Sequence, residues 1–214
     1  DDAAYERLLK IIEQKRGGSN AIDAMVLVAG IGAGCSQKVH NLLHCYEELG
    51  DDIEVMAFAD SDIFVKEYWL SHLVYPLRRE RCGAASGYRW YVPARNNLAS
   101  LALSGLNAKV AQMLGNSVFN QVWGGSMAIK VDVFRESGLD KIWKCVLSDD
   151  LSLSWAVKNM GRKVAYVPAC LVSSFDETDW KRLFEFGRRQ FLITRVSAFK
   201  TWCFGLLVNI YSAV

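Results

Sequence analysis

Apolar positions along this chain recur in two alternating patterns, helical spacing and short uninterrupted runs. Tyr5, Leu8, Leu9 and Ile12 share one helical face, and Gly17-Gly18 marks the end of that helix. The run AMVLVA at 24–29 is apolar throughout, as expected of a strand covered on both faces in a parallel sheet. After a glycine loop, Ser36 fits the N-cap of a helix that turns Val39, Leu42, Leu43 and Tyr46 inward, with Gly50 at its C′ position. A strand at 54–59 follows, then a helix carrying Trp69, Leu70, Leu73 and Val74. Further strands are predicted at 83–88, 123–131 and 163–167, the last stopping at Pro168, and further helices at 97–114 and 149–160. Strands that alternate with helices predict an α/β fold with a mostly parallel central sheet, whose ligands sit beyond the strand carboxyl ends.

Composition narrows the picture little: 51% apolar and 22% charged residues describe a globular domain of 214 residues. A net charge of +2 predicts no nucleic-acid partner. The distribution of charge says more. From 181 to 200 the chain carries Lys181, Arg182, Arg188, Arg189, Arg195 and Lys200 against a single acid, Glu185, and residues 201–214 carry no charge. That order predicts a basic interfacial helix followed by a core helix or, the preferred reading, the start of a transmembrane helix at 181–214, appended to a globular domain at 1–180. Six dispersed cysteines show no CxxC or Cys/His spacing, which argues for reduced thiols in a cytosolic domain rather than a zinc site. The opening residues read as a polar helix and not as a signal peptide.

Two acidic pairs carry the candidate chemistry. Asp60-Ser61-Asp62 interrupts the apolar run EVMAFADSDIF at a strand's carboxyl end. A helix cap at Asp62 explains it, and so do hard oxygen ligands for Mg²⁺ or Mn²⁺ bound also through substrate phosphates. Ser148-Asp149-Asp150 opens a helix, where acids favour the first turn and where a fixed carboxylate can act as a general base. GIGAG at 30–34 lacks the further glycine of a dinucleotide fingerprint, since Cys35 stands there, but leaves a backbone turn near phosphate with Lys38 close by. Trp90 and Trp123 read as core aromatics or ligand walls, and Gly124-Gly125 permits close approach.

The series CSQKVHNL, FADSD, SGYRWYVP, WGGSMAIK, LSDDLSL and GRRQFLITR resembles the bacterial branch of the ceramide glucosyltransferase-like enzymes. These are membrane-bound inverting glycosyltransferases of the GT-A fold, family 21 within the family 2 type. The resemblance implies a UDP-sugar donor, a lipid acceptor such as ceramide and a catalytic domain on the cytoplasmic face of a membrane. Residue by residue it implies nucleotide contacts by Lys38 and Asn41, a nucleotide-sugar and metal motif in Asp60 and Asp62, and Asp150 as catalytic base. Asp149 stands where relatives often carry glutamate, and Trp123, Gly125 and Ser126 fall on the acceptor side. Where the family usually shows Gln/Arg-x-x-Arg-Trp, this chain has Arg188-Arg189-Gln190-Phe191, so pyrophosphate contacts by Arg188, Arg189 and Gln190 rest on an imperfect match.

The family also begins with a membrane helix and a first β-α-β segment, whereas Asp1-Asp2 resembles the acidic cluster just after it. The chain is therefore expected to be a fragment, incomplete at its N-terminus and inactive by itself. Its rivals are a polysaccharide-forming enzyme of the same fold and a membrane-docked binding module without turnover. The joint presence of Asp60, Asp62 and Asp150 weighs against the module.

Overall fold

A computed structural model describes residues 3–16, 23–115 and 119–213. Helix α1 (Ala3–Lys15) comes first, then α2 (Gln37–Glu47), β1 (Val55–Ala59) and α3 (Trp69–Val74). After β2 (Cys82–Pro93) and α4 (Leu98–Gln112) come β3 (Ser126–Lys130), α5 (Val131–Glu136), α6 (Leu139–Ile142) and α7 (Asp149–Asn159). The chain closes with β4 (Lys163–Asp176), α8 (Trp180–Ser197) and α9 (Phe199–Ala213). The predicted end of the first helix at Gly17-Gly18 lies outside the described residues.

The four strands form one sheet in the order β1-β3-β2-β4. Only β2 and β4 run parallel; β3 is antiparallel to both β1 and β2, with Val55 opposite Lys130 and Ala59 opposite Ser126. The sheet is therefore mixed, a correction to the mostly parallel one expected. The reason is local: β3 starts where β1 ends, with the Asp60 N–H donating to Gly125 O at 3.3 Å, so it can only run back between its neighbours. An apolar run covered on both faces looks the same in either direction.

Residues 24–29 are a second correction. They form no strand, and Met25 and Val28 are 65% and 71% exposed. Among the described residues no strand lies beside them to complete a ladder. Strand β4 also continues through Pro168 to Asp176. Pro168 is tolerated because β4 is an edge strand and its pairing with β2 shifts between Ser86 and Tyr88, leaving a proline no ladder bond to break. Helix α2 closes at Glu48, ahead of Gly50, with the cap N–H on Tyr46 O.

Alternate sheet residues feed two layers, as strand geometry requires. Met56, Ala84, Met127 and Ile129 pack with Val39, Leu43, Phe134, Trp143 and Leu153 beneath α2 and α5–α7. Val55, Ala85 and Ala128 face the opposite side, against Leu73 and Leu77. Helices α8 and α9 dock on the domain through Tyr91–Phe186 and Phe119–Phe204 ring contacts. Helix α8 begins at Trp180, which puts the expected division at 181 one residue inside that helix. Among the described residues no helix is long and apolar enough to cross a membrane.

Candidate active site

Three elements deliver their first or last residues to one place. Strand β1 ends at Ala59 and hands over Asp60 and Asp62. Helix α2 is capped by Ser36, whose side chain accepts from Val39 N, and this sets Lys38 in its first turn. Helix α7 is capped by Ser148, which accepts from Leu151 N and sets Asp149 and Asp150 in its first turn. The Ser36 cap is the one predicted from the sequence, and α7 begins at the Ser148-Asp149-Asp150 run as expected.

Lys38 Nζ joins the pieces. It lies 2.8 Å from Asp60 Oδ1, 3.1 Å from Asp149 Oδ2 and 3.3 Å from Gly124 O. Asp149 is only 8% exposed, and Lys38 is the cation that compensates its buried Oδ2. Burial raises the Asp149 pKa, the neighbouring Asp150 charge adds to the rise, and Lys38 opposes it. Burial works to lower the Lys38 pKa, but Asp149 and Asp60 outweigh it, so the value lies above the ordinary lysine range.

Asp150 is immobilised at the mouth of α7. Its Oδ1 accepts from Ser148 Oγ and from Leu151 N at 2.8 Å, and its Oδ2 accepts from Gly124 N at 3.3 Å. Only glycine fits at 124: a Cβ there would lie 2.6 Å from Asp149 Oδ2 and 2.8 Å from Lys38 Nζ. At Gly125 a Cβ would run into the Trp123 indole. Ser126 is fully buried beneath this turn, where its hydroxyl accepts from Trp69 Nε1 at 2.8 Å. Trp123 is half-buried beside Tyr88, its N–H donating to Ser86 Oγ at 2.8 Å.

Lys38, Asp60, Asp62, Asp149, Asp150, Trp123 and Gly125 thus converge. Asn41 stands one turn beyond Lys38, exposed, and accepts from Gln37 Nε2 at 2.8 Å. Gln37 also donates to Gly30 O and accepts from Gly32 N, which pins the glycine loop to α2. Arg188, Arg189 and Gln190 are exposed on α8. Among the described residues none of them pairs with the site carboxylates, although Phe186, one turn earlier, packs on Tyr91.

One participant escaped the sequence reading. Arg89 on β2 donates from Nη2 to both oxygens of Asp62, at 3.0 and 3.1 Å, and stands 3.8 Å from Asp60 Oδ2. Its signal lay in GYRWYVP: period-two alternation puts Gly87, Arg89 and Tyr91 on one face of the strand.

The donor set defines what cation it can take. Asp60 and Asp62 offer hard carboxylate oxygens, and Asp62 is 64% exposed. Among the described residues no group of three His, Cys, Asp or Glu side chains is arranged to hold a metal. Two carboxylates suit a Mg²⁺-like ion that draws its remaining ligands from phosphates and water, and do not make an all-protein cage.

No curated protein matches the sequence. The family profile of glycosyl transferase family 21 matches residues 4–206, which takes in every element that reaches the site. The chain therefore belongs to glycosyl transferase family 21, a glycosyltransferase family whose members need a nucleotide-sugar donor and an acceptor.

Proposed function

We propose that the chain acts as an inverting glycosyltransferase that moves a hexose, most simply glucose, from a UDP-sugar to a hydroxyl of a membrane lipid such as ceramide. The observation that carries this reading is the Lys38 bridge, which sets the acidic pair at Asp60 beside the acidic pair at Asp149 and Asp150. One pair serves the donor and the other the acceptor.

On the acceptor side Asp150 removes the hydroxyl proton as that oxygen attacks the anomeric carbon. The new C–O bond forms on the face opposite the nucleotide while the bond to the diphosphate breaks and its electron pair leaves with the phosphate oxygen. One displacement inverts the configuration. The three hydrogen bonds that Asp150 accepts hold its carboxylate in one orientation for this transfer. Trp123, Gly125 and the buried Ser126 shape the wall on that side.

On the donor side Asp60 and Asp62 would hold Mg²⁺ or Mn²⁺, which when bound offsets the charge of the leaving diphosphate. Lys38 adds fixed positive charge there, and Asn41 lies on the same helix toward the nucleotide. Arg188, Arg189 and Gln190 are assigned to the pyrophosphate from the turn of α8 that follows Phe186. The same helix is basic and carries exposed Trp180, Phe184 and Phe191, a composition suited to the cytoplasmic face of an anionic membrane.

The test is UDP-[¹⁴C]glucose turnover by the intact membrane protein with ceramide, diacylglycerol and polyprenyl phosphate offered in parallel. Transfer to ceramide supports the proposal; label only in polyprenyl phosphate or polymer contradicts the acceptor assignment.

A further inference from the structure

Arg89 is a fixed cation rather than a surface one. Its side chain is 18% exposed, and the guanidinium lies 5.1 Å from the Trp123 ring and 5.9 Å from the Tyr91 ring. Asn107 anchors the backbone on both sides, donating to Arg89 O at 3.0 Å and accepting from Tyr91 N at 3.2 Å. Nε is buried and makes no hydrogen bond, so the group is held through its terminal nitrogens, by the Asp62 carboxylate and the Tyr91 side chain, and by the rings of Trp123 and Tyr91.

This cation sits on the carboxylate that the donor half would offer to a metal. Both oxygens of Asp62 are engaged by one guanidinium nitrogen, and the far oxygen of Asp60 is 3.8 Å from it, while Lys38 holds the near one. A divalent ion arriving alone would have to displace the guanidinium and then remain beside a positive charge that packing keeps in place. An ion arriving with a diphosphate brings negative charge that offsets the guanidinium where it stands.

We propose that Arg89 is a positioning residue that holds the Asp60–Asp62 pair closed to free divalent cations, so that the metal enters with the nucleotide diphosphate and not before it. The proposal rests on the reading of Asp60 and Asp62 as metal ligands. It concerns the order of loading, which a purely structural role for Arg89 would leave unchanged.

Mn²⁺ binding followed by electron paramagnetic resonance, with and without UDP, tests it in the intact protein as wild type, Arg89→Gln, Arg89→Lys and Arg89→Gln/Asp62→Asn. Arg89→Gln is expected to bind Mn²⁺ alone about tenfold more tightly than wild type, equivalent to ~1.4 kcal/mol of removed competition. Arg89→Lys, which keeps the charge but not the planar hold, gains less and covers the case in which the glutamine variant does not fold. Adding Asp62→Asn abolishes the gain, and UDP tightens Mn²⁺ binding more in wild type than in Arg89→Gln. If wild type binds Mn²⁺ with UDP but neither Arg89 variant gains affinity for the free ion, the proposal is overturned while the metal reading stands. If no chain binds Mn²⁺ even with UDP, the metal reading falls and takes the proposal with it.

Discussion

Lys38 and Asp149 meet at 3.1 Å across the junction between α2 and α7, and the ammonium is the charge compensating a buried carboxylate oxygen. Replacing Lys38 by Met leaves that oxygen buried and uncompensated. A fully buried pair would cost about 3–5 kcal/mol to break. Because Lys38 is 43% exposed, a loss of about 1–3 kcal/mol at pH 7 is expected in urea melts.

The pH dependence of that loss has a definite sign. The folded-state pKa of Asp149 is raised, so the folded chain holds this proton more tightly than the unfolded chain. The penalty for ionising it is absent at low pH and sets in as pH rises from the ordinary aspartate range through the raised value. Lys38 has the same sign in a higher window: its raised pKa adds stability that is full below the ordinary lysine range and lost as pH climbs through the folded value. The gap between wild type and Lys38→Met should narrow as the pH falls below the raised Asp149 value into the ordinary aspartate range, where that carboxyl is protonated with or without Lys38. A gap that widened toward acid would contradict this pairing.

Gly124 is the steric constraint that touches both Asp149 and Lys38. The Cβ of Gly124→Ala would meet Asp149 Oδ2 at 2.6 Å, and Asp149 is too buried to swing away. The turn must shift, taking with it the N–H that orients Asp150. Overpacking of this kind costs about 1–3 kcal/mol of stability. Turnover should fall further, by ~100-fold, because displacing a reacting group by an ångström carries that scale of loss. Equal small effects on melting and turnover would show that the Gly124 contact does not position Asp150.

Helix α8 should bind anionic vesicles through its basic and aromatic residues. In flotation with phosphatidylserine vesicles, Trp180→Ala/Phe184→Ala should lower the bound fraction severalfold, since both side chains are exposed and their loss costs the fold little. Raising the salt should weaken wild-type binding as well. Binding unchanged by either treatment would remove α8 as the membrane contact.

Much of this arrangement was legible in the sequence because the signals are short-range. Ser36 announces its cap and Ser148-Asp149-Asp150 the start of α7, and these starts place Lys38, Asp149 and Asp150 in the first turns of their helices. Asp60 was readable as the end of an apolar strand. What escaped depends on contacts between distant segments. The direction of β3 is set by the Asp60–Gly125 bond, and the run at 24–29 has no strand beside it among the described residues. Arg89 reaches Asp62 across 27 positions of sequence, and an arginine among aromatics carries no mark of which carboxylate it will meet.

The central claim is that Asp150 takes the acceptor proton while Lys38 and the Asp60–Asp62 pair serve the donor. The most direct measurement is single-turnover glucosyl transfer by the intact protein carrying Asp150→Asn, with UDP-glucose binding measured on the same sample. Transfer should fall by ~10²–10⁴-fold, the usual contribution of a general base, while UDP-glucose affinity changes less than about threefold. Transfer at the wild-type rate with binding intact would contradict that claim.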